Sequence, residues 1–441
     1  MNERDTLKVN NKGHLEIGGM DAVEIAKIYG TPVYVFDEAH IRNMMRVYKH
    51  TIEKFYKGNG LVVYASKAFS CMAVYAIAQS EGIGVDVVSG GELYTAIKAG
   101  FDSSKIYMHG NNKLPHELKL AIDNKIGTIV LDSYREVDMV DELAQQNGII
   151  QNVLIRINPG VEAHTHEFIQ TARTDSKFGF SVSDGAAQSI TEYVLSKKNL
   201  RLRGFHCHIG SQIFETQSFI IAARKVMDFI AIIKKETGFE SDTLNIGGGF
   251  GIWYNDEDPK LKLSDYENCL KSLINAVKEK AQEHGLKEPF LVIEPGRSII
   301  GEAGITLYTV GAIKDIKGIK KYVAVDGGMF DNPRYALYQS KYTVMLANRA
   351  NEPCTEKVSV AGKCCESGDL IAVDVSLPKA ESGDIMAVLS TGAYNYSMAS
   401  NYNRNFIPAA ILVKDGKAEY IVKPQTYDDV IRNDVVPEYL K

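Results

Sequence analysis

Short β-branched and aliphatic runs recur along the first two-thirds of this chain, and most of the gaps between them carry helical periodicity. The runs fall at 61–65, 84–88, 105–108, 128–132, 152–157, 203–207, 243–246 and 290–293. The helical gaps cover 70–81, 92–100, 114–123, 134–146, 186–195, 216–236 and 266–284. Eight strands alternating with helices over about 250 residues fit a (β/α)8 barrel. Continuous apolar stretches such as Val153-Leu154-Ile155 suit parallel strands buried on both faces. After Arg297 the rhythm changes to strand-like runs at 305–313, 321–325, 355–360, 370–375, 384–389, 409–413 and 419–422. Lys414-Asp415-Gly416-Lys417 reads as a hairpin turn. The expected architecture is α/β: a TIM-like (β/α)8 barrel over 36–300, followed by an all-β sandwich or barrel domain over 301–441. Residues 1–35, with a short strand near His14–Ile17, are expected to pack with that second domain.

A chain of 441 residues that is 45% hydrophobic can bury two such cores. Fifty basic against 55 acidic residues leave a net charge of −5, which argues against a nucleic-acid or anionic-membrane surface. Met1-Asn2-Glu3-Arg4-Asp5 is polar, unlike a signal peptide, and no apolar stretch approaches the roughly 18–20 residues that span a bilayer. The six cysteines show neither CxxC spacing nor a disulfide framework. A soluble, reduced, cytoplasmic protein is expected. The sequence does not fix the conformation of the loop after His164-Thr165-His166.

In such a barrel, chemistry sits at the carboxyl ends of the strands. Strand one ends at Lys67, strand two at Asp86 and Ser89-Gly90-Gly91, strand three at His109-Gly110-Asn111, and strand five at Asn158-Pro159-Gly160. Strand six ends at His206-Cys207-His208-Ile209-Gly210-Ser211, strand seven at Gly247–Gly251, and strand eight at Glu294-Pro295-Gly296-Arg297. A lysine at a strand end is usually a solvated cation; desolvated, it becomes a Schiff-base nucleophile. The glycine run does not open into a helix, since Trp253-Tyr254-Asn255-Asp256 follows, so it is not a dinucleotide fingerprint. It reads as a turn or as the usual barrel phosphate site, in which Gly248, Gly249, Ser211 and the amides of Gly296 and Arg297 would cradle an anion.

His206 and His208 stand two apart and could be metal ligands, but no third or fourth ligand lies at suitable spacing, so no metal is expected. His208 suits a ring stacked on a planar cofactor. Glu294 emerges from an apolar strand, either as a buried partner of Arg297 or as an ionised carboxylate holding a pyridine nitrogen protonated. These groups together meet the needs of pyridoxal phosphate. In the second domain, Gly362-Lys363-Cys364-Cys365-Glu366-Ser367-Gly368-Asp369 sets a thiol beside a carboxylate. Arg334 and Tyr338 offer a guanidinium and a phenol for carboxylates, and Tyr394 a hydroxyl for a phosphate.

Tyr64-Ala65-Ser66-Lys67-Ala68, Asp86–Glu92, His208–Gln212, the Gly247–Gly251 loop, Glu294–Arg297, Cys365–Asp369 and Gly392-Ala393-Tyr394 resemble, in this order, the diaminopimelate decarboxylases. Those enzymes belong to the alanine-racemase-like fold type of pyridoxal-phosphate enzymes. The resemblance runs from Tyr29-Gly30-Thr31-Pro32 past Tyr402-Asn403. It departs at Arg334-Tyr335-Ala336, where the family commonly has proline after the arginine, and at Arg404–Pro408, which lacks an arginine–proline repeat. It implies that Lys67 carries the cofactor, His208 stacks on it and Glu294 pairs its nitrogen. Asp86 is implied as a further cofactor contact, with Ser211, Gly248, Gly249, Gly296, Arg297 and Tyr394 around the phosphate. Arg297, Arg334, Tyr338, Glu366 and Tyr394 would contact substrate. The implied reaction is decarboxylation of meso-2,6-diaminopimelate to L-lysine. The implied assembly is a homodimer in which Cys365 and Glu366 reach the neighbouring subunit's site, Cys365 as proton donor.

Related decarboxylases of ornithine, arginine or carboxynorspermidine are the nearest rivals, but they often place aspartate beside the cysteine where this chain has Glu366. Alanine racemase uses arginine at the pyridine nitrogen, where this chain has Glu294. A catalytically dead homologue that only binds a partner protein would tend to lose Lys67 or Cys365, and both are present.

Overall fold

The structure, a computed structural model, describes residues 6–161 and 176–441; the loop after His164-Thr165-His166 lies outside them. Two compact units are formed, one by Arg42–Ile252 with Pro259–Ile299, the other by Met1–Ile41, Trp253–Asp258 and Ile300–Lys441. The short segment Trp253–Asp258 thus belongs with the second unit although the residues on both sides of it belong to the first.

Eight strands build the first unit: β1 (Gly60–Ala65), β2 (Gly84–Val87), β3 (Ile106–Met108), β4 (Thr128–Leu131), β5 (Gln151–Asn158), β6 (Leu200–His206), β7 (Thr243–Asn245) and β8 (Phe290–Ile293). Each pairs in parallel with the next, and β8 pairs with β1, closing a barrel. Val63, Tyr107, Val130, Leu154 and Val292 meet as one buried cluster. The apolar runs that predict the strands are therefore the barrel's packing layers.

Helices follow the strands with capping that the sequence spells out. Ser89 caps Gly90–Lys98, its Oγ accepting from Glu92 N–H at 3.2 Å, and Ser133 caps Tyr134–Gln146 in the same way. The first of these helices starts two residues earlier than expected, because the Ser89 cap admits Gly90 and Gly91 into its first turn. A 19-residue helix, Glu38–Tyr56, precedes β1 and was not anticipated. Its buried Ile41, Met44, Met45, Tyr48, Ile52 and Tyr56 recur at helical spacing, so the signal was present.

One buried ion pair braces the carboxyl ends of β3 and β4. Lys113 Nζ donates to Glu136 Oε2 at 2.9 Å and to the carbonyls of Gly110 and Val130, so all three of its protons are used. Burial pushes the Lys113 pKa down, against the pull of Glu136. Glu136→Gln would leave that ammonium buried without its counter-charge and should cost about 3 kcal/mol. Urea unfolding of the apoprotein measures this; a loss under about 1 kcal/mol would mean the pair is dispensable.

The second unit is rich in sheet, with short helices added at Ala22–Tyr29, Arg334–Tyr338 and Tyr427–Ile431. Its sheet runs Leu370–Leu377, Glu356–Ala361, Lys320–Val325, Gly304–Ile316, Val33–Asp37, Ala409–Lys414, Lys417–Val422, with Ile385–Val388 paired to the long strand Gly304–Ile316 and Val344–Leu346 paired in turn to Ile385–Val388. Gly304–Ile316 pairs with Ile385–Val388 and Val33–Asp37 through its first half and with Lys320–Val325 through its second, after a register shift between Val310 and Ile313. Leu7, Leu15 and Ile17 share one core with Ile305, Leu307, Ile411 and Val413, which ties the N-terminal strands to this unit. Lys414 pairs with Lys417 across Asp415 and Gly416, both at positive φ, as a type I′ hairpin turn requires.

Candidate active site

The carboxyl ends of the barrel strands converge on a cavity of about 320 Å³ lined by Lys67, Asp86, His109, Arg156, His206, His208 and Glu294, with Val88, Gly110, Asn111 and Phe178. Lys67 sits in a 3-10 turn, Ser66–Ala68, immediately after β1. That turn is held from β2's side by Glu92, whose Oε2 accepts from Ser66 Oγ at 3.1 Å and from Val88 N–H at 2.8 Å. Lys67 is half-buried, and its charge acts on both Asp86 and His208.

Glu294 is the electrostatic centre of the cavity floor. Asn245 Nδ2 donates to its Oε1 at 2.6 Å and His206 Nε2 lies 3.2 Å from its Oε2. His109 Nε2 stands 2.7 Å from Oε1, close enough to matter although its ring is poorly aligned for a hydrogen bond. Burial alone would raise the Glu294 pKa, but His109 and His206 outweigh it and hold the carboxylate ionised, well below the usual range. Burial also pushes His206 down to about 3, so this ring is neutral at pH 7 and supports the carboxylate as an N–H donor rather than as a cation. Asp86 is the contrasting acid. Burial pushes it up to about 6, and its Oδ1 has no hydrogen-bond partner among the described residues.

The metal question takes a different form from the one the spacing posed. His206 does meet two further ligand types, His109 and Glu294, with ligand atoms within 4.8 Å of one another. They arrive from three separate strands, which no spacing along the chain could reveal. His208 stands apart: its Nδ1 accepts from Gly248 N–H at 3.2 Å, and burial with the nearby Lys67 charge keeps its pKa well below the ordinary value.

The glycine loop after β7 is built for close backbone approach. A side chain at Gly248 would collide with the Glu294 carbonyl, and one at Gly249 (φ +110°) with the Gly210 carbonyl. At Gly296 it would strike Ala65. Ser211 Oγ accepts from Arg297 Nη2 at 2.8 Å and Nε at 3.2 Å, leaving its hydroxyl proton available to donate. These residues share the barrel unit with Lys67 and Glu294.

The remaining expected residues lie in the second unit. The Arg334 guanidinium lies 5.3 Å from the Tyr338 ring and 5.7 Å from the Tyr394 ring. Burial disfavours its charge, yet the hydroxyls of Tyr342, Tyr254 and Tyr394 more than compensate and raise its pKa. Its Nε is buried without a hydrogen-bond partner among the described residues, and Tyr394 adopts φ +67°, an uncommon conformation for a bulky residue. Cys365 and Glu366 are exposed on the 362–369 turn. Asp369 pins that turn to the 326–333 loop by accepting from Cys364 N–H at 2.6 Å and Met329 N–H at 2.5 Å.

Sequence reasoning missed Asn245 and Arg156, and gave His109 no role. Asn245 ends an apolar strand and Arg156 interrupts Val153–Ile157; a lone polar residue inside a barrel strand is the signal that would have found both. Arg156 stacks on Phe178 at 4.3 Å, and burial lowers its pKa against the pull of Asp132 and Glu294.

Residues 38–301 match the family model described as pyridoxal-dependent decarboxylase, pyridoxal binding domain. The diaminopimelate decarboxylase of Bacillus subtilis (strain 168) is 48% identical over 98% of this chain and 97% of its own. That of Bacillus methanolicus is 49% identical over 95% of this chain and 96% of its own. A crystal structure of the M. jannaschii diaminopimelate decarboxylase in complex with L-lysine superposes with a TM-score of 0.92 at 36% identity, covering 99% of both chains. Matched over nearly its whole length, the chain belongs to the diaminopimelate decarboxylase family of pyridoxal-dependent decarboxylases.

Proposed function

We propose that this chain decarboxylates meso-2,6-diaminopimelate to L-lysine and carbon dioxide, the last step of lysine biosynthesis, with pyridoxal 5′-phosphate as cofactor. The observation that carries the proposal is one cavity holding Lys67, His208 and Glu294 on a chain similar end to end to diaminopimelate decarboxylases. The residues fit the cofactor. The glycine loop excludes side chains where a phosphate would need backbone, a lysine amine reaches the cavity, and an ionised carboxylate waits at its base. Asp86 Oδ1 is buried and has no donor among the described residues.

When bound, pyridoxal phosphate supplies an electron sink for the bond that breaks. Lys67 provides the amine that anchors it. His208 offers a neutral ring to stack on, since neither burial nor the Lys67 charge favours its protonation. Glu294 keeps a proton on the ring nitrogen. Ser211, Gly248, Gly249, Gly296, Arg297 and Tyr394 hold the phosphate. Arg297, Arg334 and Tyr338 take substrate carboxylates, and Glu366 the remote ammonium. Cys365 delivers the proton that replaces carbon dioxide. Its exposure on a surface turn supports the further proposal that it acts in the site of a second copy, within a homodimer. Six free cysteines suit a reducing cytoplasm.

The test is carbon dioxide release from meso-diaminopimelate, lysine, ornithine and arginine, assayed side by side. Release from meso-diaminopimelate should dominate; preference for ornithine would overturn the substrate assignment. The shared site has its own test. Inactive Lys67→Ala and Cys365→Ala chains, mixed and allowed to exchange, should recover up to about a quarter of wild-type activity, because each heterodimer regains one intact site of two. Absence of recovery after verified exchange would place Cys365 in its own chain's site.

A further inference from the structure

The loop after β6 and the glycine loop after β7 run side by side. Ile213 N–H donates to the Gly249 carbonyl at 2.9 Å and Gly251 N–H to the Ile213 carbonyl at 2.9 Å, giving a parallel bridge between Ile213 and Phe250. The Gln212 side chain extends this ladder by one step. Its Nε2 donates to the Ile252 carbonyl at 2.7 Å and its Oε1 accepts from Ile252 N–H at 3.2 Å. A primary amide carries donor and acceptor side by side, so it can meet one residue at two points as a neighbouring strand would. Reversing the amide would set N–H against N–H and oxygen against oxygen, so the network fixes its orientation.

Gln212 also holds φ +59°, a backbone state that costs a non-glycine residue free energy and persists where its surroundings demand it. The residue before it is Ser211, which accepts from the Arg297 guanidinium; the strip it clamps begins with Gly248 and Gly249. We propose that Gln212 is a positioning residue for the anion cradle. By locking the two loops together it sets the separation of the Ser211 hydroxyl from the Gly248 and Gly249 amides, and so fits the cradle to a phosphate monoester. This rests on the reading above that the cradle receives the phosphate of pyridoxal phosphate.

The experiment titrates apoenzyme with pyridoxal 5′-phosphate and, separately, with pyridoxal, which lacks the phosphate. Gln212→Gly and Gln212→Asn both tolerate positive φ, so the backbone is not strained further. The first removes the amide; the second keeps it one methylene too short. Each should weaken pyridoxal phosphate binding about 10- to 100-fold, the worth of two orienting hydrogen bonds, while pyridoxal binding changes less than about 3-fold. Unchanged pyridoxal phosphate affinity in both variants would overturn the inference, as would equal losses for the two ligands, which mark a general structural role. Wild-type protein that bound neither ligand would overturn the cofactor reading itself, and the two failures are therefore distinguishable.

Discussion

Lys67→Ala should lower turnover by about 10⁴-fold or more and abolish the visible absorbance of the covalently bound cofactor in the resting enzyme. Both effects belong to one atom. On the proposed reading Lys67 Nζ would anchor the cofactor and give way to the amine of each substrate molecule, so anchoring and turnover would both depend on it. The surrounding architecture does not depend on that amine. The turn is fixed by its backbone and by the Ser66–Glu92–Val88 contacts, which alanine leaves intact. Folding and melting behaviour should therefore remain near wild type, which separates lost chemistry from lost structure. Added methylamine should return a small part of the activity by supplying the missing amine from solution. A variant that kept turnover within about tenfold of wild type would refute the assignment of Lys67.

The barrel was legible because its signals are local. Each strand is an apolar run, each gap a periodic helix, and Tyr134–Gln146 and Ala186–Leu195 fall where their periodicity predicts. Lys67, His208 and the glycine loop were legible because a barrel places strand-end residues at one mouth. The triad of Glu294 with His206 and Asn245 was only partly visible. The carboxylate could be read from its apolar strand, but its partners come from 49 and 88 positions away, and only barrel closure makes them neighbours. Gln212 was hidden for a different reason. Its role lies in a side chain standing in for a backbone, which depends on two loops meeting. The helix Glu38–Tyr56 is not among the predicted helices although its apolar stripe is regular, because the strand Val33–Asp37 that leads into it lies outside the alternating barrel pattern.

Glu294→Gln should retain the cofactor and fold, yet lower kcat by about 10²- to 10³-fold, the scale on which removal of one preorganised electrostatic group is felt. The amide can replace the carboxylate sterically. Its oxygen can accept from Asn245 Nδ2. Its NH2 group would then confront the His206 Nε2 proton, but His206 Nδ1 has no hydrogen-bond partner among the described residues, so the imidazole can move its proton there at little cost. The charge has no such substitute. In the wild type Glu294 is held ionised while its neighbour His206 is held neutral, so on the proposed reading the carboxylate would keep a proton on the ring nitrogen. Without that proton the ring would be a poor electron sink, and loss of carbon dioxide should be slow. The pH dependence of stability supplies a second reading. A carboxyl group held below its ordinary value of 4.5 contributes stability that is present above that pH and is lost as the pH falls through the folded-state pKa. The glutamine variant cannot titrate there, so its apoprotein should be less stable than wild type at pH 7 and the difference should shrink under acid conditions. Unchanged kcat with saturating cofactor would remove Glu294 from the catalytic machinery, and a stability difference that grew on acidification would contradict its ionised state.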